Sequence, residues 1–365
     1  MYESTQEEIV ACLKLIRWHG FSLRKKYHVV DKLGSFCAAL NWGVQQWETF
    51  TQCKVKKCLP LHKSNIENDL AWMNFSENEF ITIFDQRYPK ALKKLEDPPL
   101  GLFVQGDLKV LNTIQLAIVG SRRQTPAGKK IASQFAIDLS RLGITVTSGL
   151  ALGVDASAHA AVCEIHGKTV AVLGCGLDKI YPRQNIQLAS WVQQNGCLVS
   201  EFPIGTPPRR ENFPARNRII AGLSMGVLVV EAAQRSGSLI TARLALEQGK
   251  EVFAVPGSIL SPQSAGCHSL IKQGAVLTQG MDDILFELQL PLLSECEDIA
   301  NQQMIENSKN QTCSILTAID YEATPFDQLL QRTNLEFQAL SNRLLELELE
   351  GLIERAHNGD YFRLT

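Results

Sequence analysis

Hydrophobic positions change rhythm three times along this chain. Over the first 75 or so residues they recur at helical spacing, with Ile9, Leu13, Ile16 and Trp18 roughly on one face, and further short helical segments fall near 29–40 and 42–50. The stretch FITIFDQRYPKALKKLEDPPLGLFVQGD then reads as strand, turn, short helix, Pro-rich turn and strand. From there, apolar runs near 115–119, 144–148, 169–173, 197–201, 226–231 and 251–255 alternate with helical segments. Runs that are apolar throughout suit parallel strands buried on both faces, and the alternation predicts βαβ units in an α/β doubly wound sheet.

Past the sheet the pattern fades. Residues 294–312 are polar and without period, which predicts a linker. Three short helical patterns follow, near 313–320, 325–331 and 335–349. Two β-like runs, LIERA and DYFRL, close the chain around an HNG turn signal. Helix, helix, helix, hairpin is the layout of a winged helix. The expected domains are a helical one over 1–75, the sheet over 76–290, a linker over 291–311 and a winged-helix-like domain over 312–365.

The 365 residues are 45% hydrophobic and 20% charged, ample for two or three cores. The acidic start, MYESTQEEIVACLKL, does not read as a signal peptide, and no apolar run approaches a membrane span. The ten cysteines include no CxxC pair, and no His/Cys set completes a zinc site around Cys53 and Cys58. Reduced thiols and a cytoplasmic location are expected, with no metal and no cofactor. The formal charge of −2 hides an asymmetry: residues 115–290 hold 16 basic and 12 acidic side chains, whereas 291–365 hold 5 and 13. A polyanion would be held by the middle of the chain and not by its tail.

The turns after the predicted strands carry the chemistry. Gly120, Ser121, Arg122 and Arg123 link a strand to a helix that starts at Pro126, where backbone amides and a guanidinium suit a phosphate. GCGLDKIYPRQN has only the GxG of a dinucleotide fingerprint, and Lys179 and Arg183 extend the positive edge, with Asn185 as an amide donor. RRENFPARNRIIAGLS is the most specific segment: Arg216, Asn217 and Arg218 open a helix beside Phe213. A base stacked on Phe213 with phosphates on the arginines would suit a single strand. Alternatively Phe213 is a core plug and Arg218 pairs with Glu201 or Glu231. Ser236 and Ser238 are expected to cap the helix LITARLALEQG.

No nucleophile–base pair emerges. HxxxH, GxSxG and Walker patterns are absent, and Asp155, Glu201 and Glu231 are placed to balance arginines. The residues favour a nucleic-acid binder over an enzyme.

The ordered set VGSRR, SGLALGVDASAH, GCGLDKIYPRQN, FPARNRIIAGLS, EAAQRSGSLITA and VPGS resembles the DNA-processing protein DprA (Smf) family over about residues 95–285. The resemblance implies an extended Rossmann-like domain that binds single-stranded DNA as a homodimer. It also implies delivery of the strand to the recombinase RecA in natural transformation, with displacement of single-strand-binding protein. The flanks resemble that family's sterile-alpha-motif-like and winged-helix domains. By motif, the DNA-facing candidates are Gly120, Ser121, Arg122, Lys179, Arg183, Phe213, Arg216, Asn217 and Arg218. His268 departs from the family's usual Asn. The predicted recognition helix, 335–350, holds Glu336, Glu346, Glu348 and Glu350 against Arg343, so this winged helix is expected to contact protein and not duplex DNA. The alternative class is a nucleotide-processing enzyme of the phosphoribohydrolase type, although SGSLITA lacks the double glycine of that site.

Overall fold

Five helices open the chain: α1 (Gln6–Arg17), α2 (Leu23–Leu33), α3 (Phe36–Asn41), α4 (Val44–Thr51) and α5 (Lys63–Met73). In this computed structural model, residues 5–18, 20–54, 63–290, 318–319, 324–333, 337–349, 352–356 and 360–363 are described. Trp18, Phe21 and Trp47 meet with ring centroids 4.9–5.2 Å apart, and the Trp47 indole donates to the Ala39 carbonyl at 2.9 Å. These aromatics fill the helical core. Trp72 of α5 packs edge-on against Phe103 of the sheet, at 5.7 Å.

Polar contacts tie the same helices down. The Arg17 fork donates to both Asp69 oxygens, at 2.8 and 2.7 Å, and to the Ile204 carbonyl at 2.9 Å. Asp69 in turn accepts from the Ile204 amide at 3.1 Å. The helices and the sheet therefore share one core, and Met1–Leu290 forms a single compact unit, with Pro291–Thr365 a second.

The sheet contains β1 (Asn78–Thr82), β2 (Gly101–Gly106), β3 (Gln115–Val119), β4 (Thr145–Ser148), β5 (Thr169–Val172), β6 (Gly196–Ser200), β7 (Gly226–Val229), β8 (Glu251–Ala254) and β9 (Val276–Leu277). Its strand order is β1-β2-β6-β5-β4-β3-β7-β8-β9. From β6 to β9 neighbouring strands are parallel, while β1, β2 and β6 pair antiparallel. All six apolar runs are strands of the parallel part, and every residue of β3, β4, β5, β6 and β7 is buried. This is the doubly wound sheet.

Helices cover both faces: α6 (Lys90–Lys93), α7 (Pro126–Arg141), α8 (Val154–Glu164), α9 (Ile186–Asn195), α10 (Asn212–Leu223), α11 (Ser238–Glu247), α12 (Ala265–Lys272) and α13 (Met281–Glu287). Pro126 occupies the first turn of α7, and the Thr125 hydroxyl caps it by accepting from the Gly128 amide at 3.0 Å. The start of α11 differs from expectation. Ser238 is its first helical residue and makes no capping bond; the Ser236 hydroxyl bonds that of Ser238 at 2.7 Å and accepts from the Ser238 amide at 3.4 Å.

In the second unit, α14 (Phe326–Thr333) and α15 (Phe337–Leu349) precede an antiparallel pair, β10 (Ile353–Arg355) and β11 (Tyr361–Arg363). Leu329, Leu340, Leu344, Leu347, Ile353 and Tyr361 form its core. The linker, most of the first predicted helix and the HNG turn lie outside the described residues, as do Glu336 and Glu350. Among the described residues no helix is long and apolar enough to cross a membrane, and no group of three or more His, Cys, Asp or Glu could hold a metal ion.

Candidate nucleic-acid interface

Chain order reverses at β3. Successive strands run outward from it through β4, β5 and β6, and the chain then returns to β7 on its other side. The carboxyl ends of β3 and β7 thus flank a topological switch point, the crevice where doubly wound sheets hold ligands.

Two turns are pressed together there. The Ser121 hydroxyl accepts from the Arg123 amide at 3.1 Å, and the Ser121 carbonyl accepts from the Val154 amide at 3.2 Å. Gly153 makes this approach possible: its φ is +83°, and a Cβ there would lie 2.1 Å from the Ser121 carbonyl oxygen. The second turn is pinned from outside by Asn185, whose amide donates to the carbonyls of Leu150 at 2.9 Å and Ala151 at 3.3 Å. Among the described residues no protein acceptor meets the backbone amides of Ser121, Arg122 or Leu152.

Arg216 supports these turns from below. Its guanidinium, 4% exposed, donates to the carbonyls of Gly149, at 2.7 Å, and of Val172, while its Nε donates to Asn217 Oδ1 at 3.2 Å. Asp155 faces it and accepts from the Gly149 amide at 3.1 Å. Burial lowers the Arg216 pKa to about 10, against the pull of Asp155, so the group stays cationic at neutral pH. Burial raises the Asp155 pKa, with Arg216 and the backbone amides opposing.

Above this layer lies an aromatic cluster. The Arg122 guanidinium, exposed, sits over the Phe213 ring at 5.6 Å, and Tyr181 tilts against the same ring at 5.7 Å. The Phe213 ring also lies against Gly174, where a Cβ would come within 3.1 Å of it. Arg122, Leu152, Tyr181, Phe213 and Arg216 line a small cavity of about 50 Å³. Lys179 and Arg183 are exposed and flank Tyr181 two residues to either side.

The structure therefore separates the nine sequence candidates. Gly120, Ser121, Arg122 and Phe213 meet at the switch point, with Lys179 and Arg183 on the adjoining turn. Arg216 and Asn217 are buried beneath it and bond to protein. Arg218 does not join the rim. It is 7% exposed and turned to Glu201, which takes Nη2, and to Asp97, 3.3 Å from Nε. The reason is helical spacing: 213 and 216 share one face of α10, whereas 212, 215 and 218 share the next.

A second difference concerns the helix starts. The carboxylate of Glu231 accepts from the Thr125 amide at 2.9 Å and from the Thr125 hydroxyl at 2.5 Å, so it closes the start of α7. Phe213, half-buried, is both plug and exposed face, which joins the two readings left open for it. Tyr181, 44% exposed, is the functional candidate missed from sequence; an aromatic inside the basic YPRQN segment was its signal. His268 is half-buried with Nε2 3.0 Å from the Gly257 carbonyl, a role within the loop after β8.

Fold and turns together define a Rossmann-like protein with a basic, aromatic switch-point crevice and a separate winged helix. A family model described as DNA recombination-mediator protein A matches residues 79–289, and one described as the DprA winged helix domain matches 305–359. The chain belongs to the DprA (Smf) family. It is 43% identical over 325 residues to the Smf protein of Escherichia coli, covering 88% of this chain and 87% of that one. It is 46% identical over 209 residues to the DNA processing protein DprA of Bacillus subtilis, 57% of this chain and 70% of that one. The solved DprA of Streptococcus pneumoniae superposes with a TM-score of 0.66 at 34% identity, over 75% of this chain and 96% of its own. The Helicobacter pylori protein, which binds single-stranded DNA, does so at 0.51 and 35%, over 58% and 94%.

Proposed function

We propose that this protein binds single-stranded DNA along the crevice rim and hands the strand to a RecA-type recombinase. The observation that carries the reading is the Arg122–Phe213–Tyr181 cluster at the switch point. A guanidinium over an aromatic face offers a phosphate clamp and a stacking platform within one base's reach, the pairing that suits unpaired strands. Gly120, Ser121 and the amide of Leu152 add backbone to the clamp, and Lys179 and Arg183 continue it. Arg216 and Asn217 hold the turns in shape from beneath.

Family membership supports the later steps: displacement of single-strand-binding protein, action as a homodimer in the cytoplasm, and a part in transformation or homologous recombination. The protein acts as a binder and not as an enzyme. In support, the two carboxylates at the switch point already serve protein groups: Asp155 faces Arg216, and Glu231 caps α7. The acidic winged helix contacts protein and leaves duplex DNA alone. A mobility-shift comparison of oligo-dT with duplex, using the wild type and Arg122→Ala, tests the strand-binding step on which the later ones depend. Equal affinity for both DNA forms, or an unaffected variant, would overturn it.

A further inference from the structure

The helical region and the sheet border a far larger, partly open space than the crevice. This cavity, about 670 Å³, lies between α1, α2 and the loop after β6, on the opposite side of α10 from Phe213. Its volume falls within the range of small-molecule sites. Two cations in its wall lack what burial normally demands.

Lys26 is 5% exposed, yet among the described residues its ammonium donates only to the Ile16 carbonyl, at 3.3 Å, and meets no carboxylate. Buried ammonium groups are ordinarily paired. Burial lowers the Lys26 pKa to about 8, which leaves it mostly charged at neutral pH. Arg218 is paired through Nη2 and Nε, but its Nη1 is fully buried and meets no acceptor among the described residues. Arg209, exposed, stands at the same wall. Asp97, 42% exposed, supplies an acceptor for hydroxyl or amino groups, and Leu23 and Ile204 give an apolar floor.

We infer that this cavity is a second ligand site, for a nucleotide-sized phosphate monoester whose phosphate sits at Lys26 and Arg209. A dianion would supply the pairing that Lys26 lacks, while the sugar hydroxyls meet Asp97 and the base lies on the apolar floor. The inference stands apart from the crevice, with which it shares only α10.

Calorimetric titration of the full chain with thymidine monophosphate tests it, with inorganic phosphate as a parallel probe. The expected result is saturable 1:1 binding of the nucleotide, at least tenfold weaker binding of inorganic phosphate, and loss of the signal in Lys26→Met. Lys26→Met removes a buried charge that makes one weak bond among the described residues, so the fold survives it. Arg209→Ala, at an exposed position, weakens binding about tenfold, and Arg122→Ala leaves it unchanged. No nucleotide binding, equal binding of inorganic phosphate, or loss in Arg122→Ala with retention in Lys26→Met would each overturn the site.

Discussion

The guanidinium carbon of Arg122 stands 5.6 Å from the centre of the Phe213 ring, joining the turn after β3 to the start of α10. An exposed pair of this kind contributes about 0.5–1 kcal/mol, and a phosphate on the same guanidinium adds a charge-assisted bond. Arg122→Ala is therefore expected to weaken oligo-dT binding about tenfold. It should also flatten the salt dependence by about 0.7 in log–log slope, one phosphate's share on a single strand. Fluorescence anisotropy across a salt series measures both. An unchanged slope would place Arg122 away from the phosphates.

Tyr181 and Phe213 should differ in kind. Tyr181 is exposed and removable, so Tyr181→Ala costs about 1–3 kcal/mol of binding per stacked base and leaves the urea midpoint in place. Tyr181→Phe keeps the affinity. Phe213→Ala loses both affinity and stability, because the half-buried ring also seals Gly174. A Tyr181→Ala variant with wild-type affinity would remove the tyrosine from the interface.

Arg216 and Arg218 look alike in sequence and should fail alike in folding. Arg216→Met strands Asp155 and two carbonyls, all buried, and Arg218→Met strands the largely buried Glu201. Breaking a buried pair from one side costs about 3–5 kcal/mol. The expected outcome is a large drop in the urea midpoint for both. If either variant kept its stability while losing DNA as Arg122→Ala does, that arginine would belong to the rim.

How far the sequence reached is visible in this one helix. The strands were legible because a doubly buried strand must be apolar throughout, and all six runs were found within a residue or two. The turns were legible because glycine and arginine at strand ends have few structural uses. The three consecutive polar candidates on α10, Arg216, Asn217 and Arg218, were not separable. A shift of 100° per residue sends neighbours to different walls, and only the packing of α1, α2 and the sheet decides which wall faces the crevice. The Arg218–Glu201 pairing was readable as one of two options. The closure of α7 by Glu231 was not, since the residues lie 106 apart in the chain.

Acid should weaken the fold through His159. This residue is fully buried, with Nδ1 2.7 Å from the Thr169 hydroxyl, and burial followed by the charge of Arg216 lowers its pKa from 6.5 to about 3. The unfolded chain takes up this proton below pH 6.5 and the folded chain does not. Stability is thus full above the unfolded value and falls as pH drops toward 3. Between pH 7 and pH 5 the loss is about 2 kcal/mol. Asp155 and Glu201, whose pKa values are raised, act in the opposite direction, so the comparison is with His159→Gln. Urea midpoints at the two pH values should move less in that variant; equal shifts would mean another group titrates.

The tail is expected to be dispensable for binding DNA. A chain ending at Leu290 retains the compact first unit whole and loses the acidic segment. Its affinity for oligo-dT should match or exceed that of the full chain at physiological salt. A tenfold loss would show that the winged helix takes part in holding the strand.

Glu231 and Asp155 leave this crevice with an unusual source of attraction. Each carboxylate sits at the amino-terminal end of a helix, α7 or α8, and already answers the partial positive charge that a macrodipole places there. Nature's inexpensive anion magnet is therefore quenched from within at both ends. A visiting strand is then held chiefly by side chains with whole charges, whose grip loosens as electrolyte rises. Release then needs no change of shape, only competition for a few guanidinium and ammonium groups.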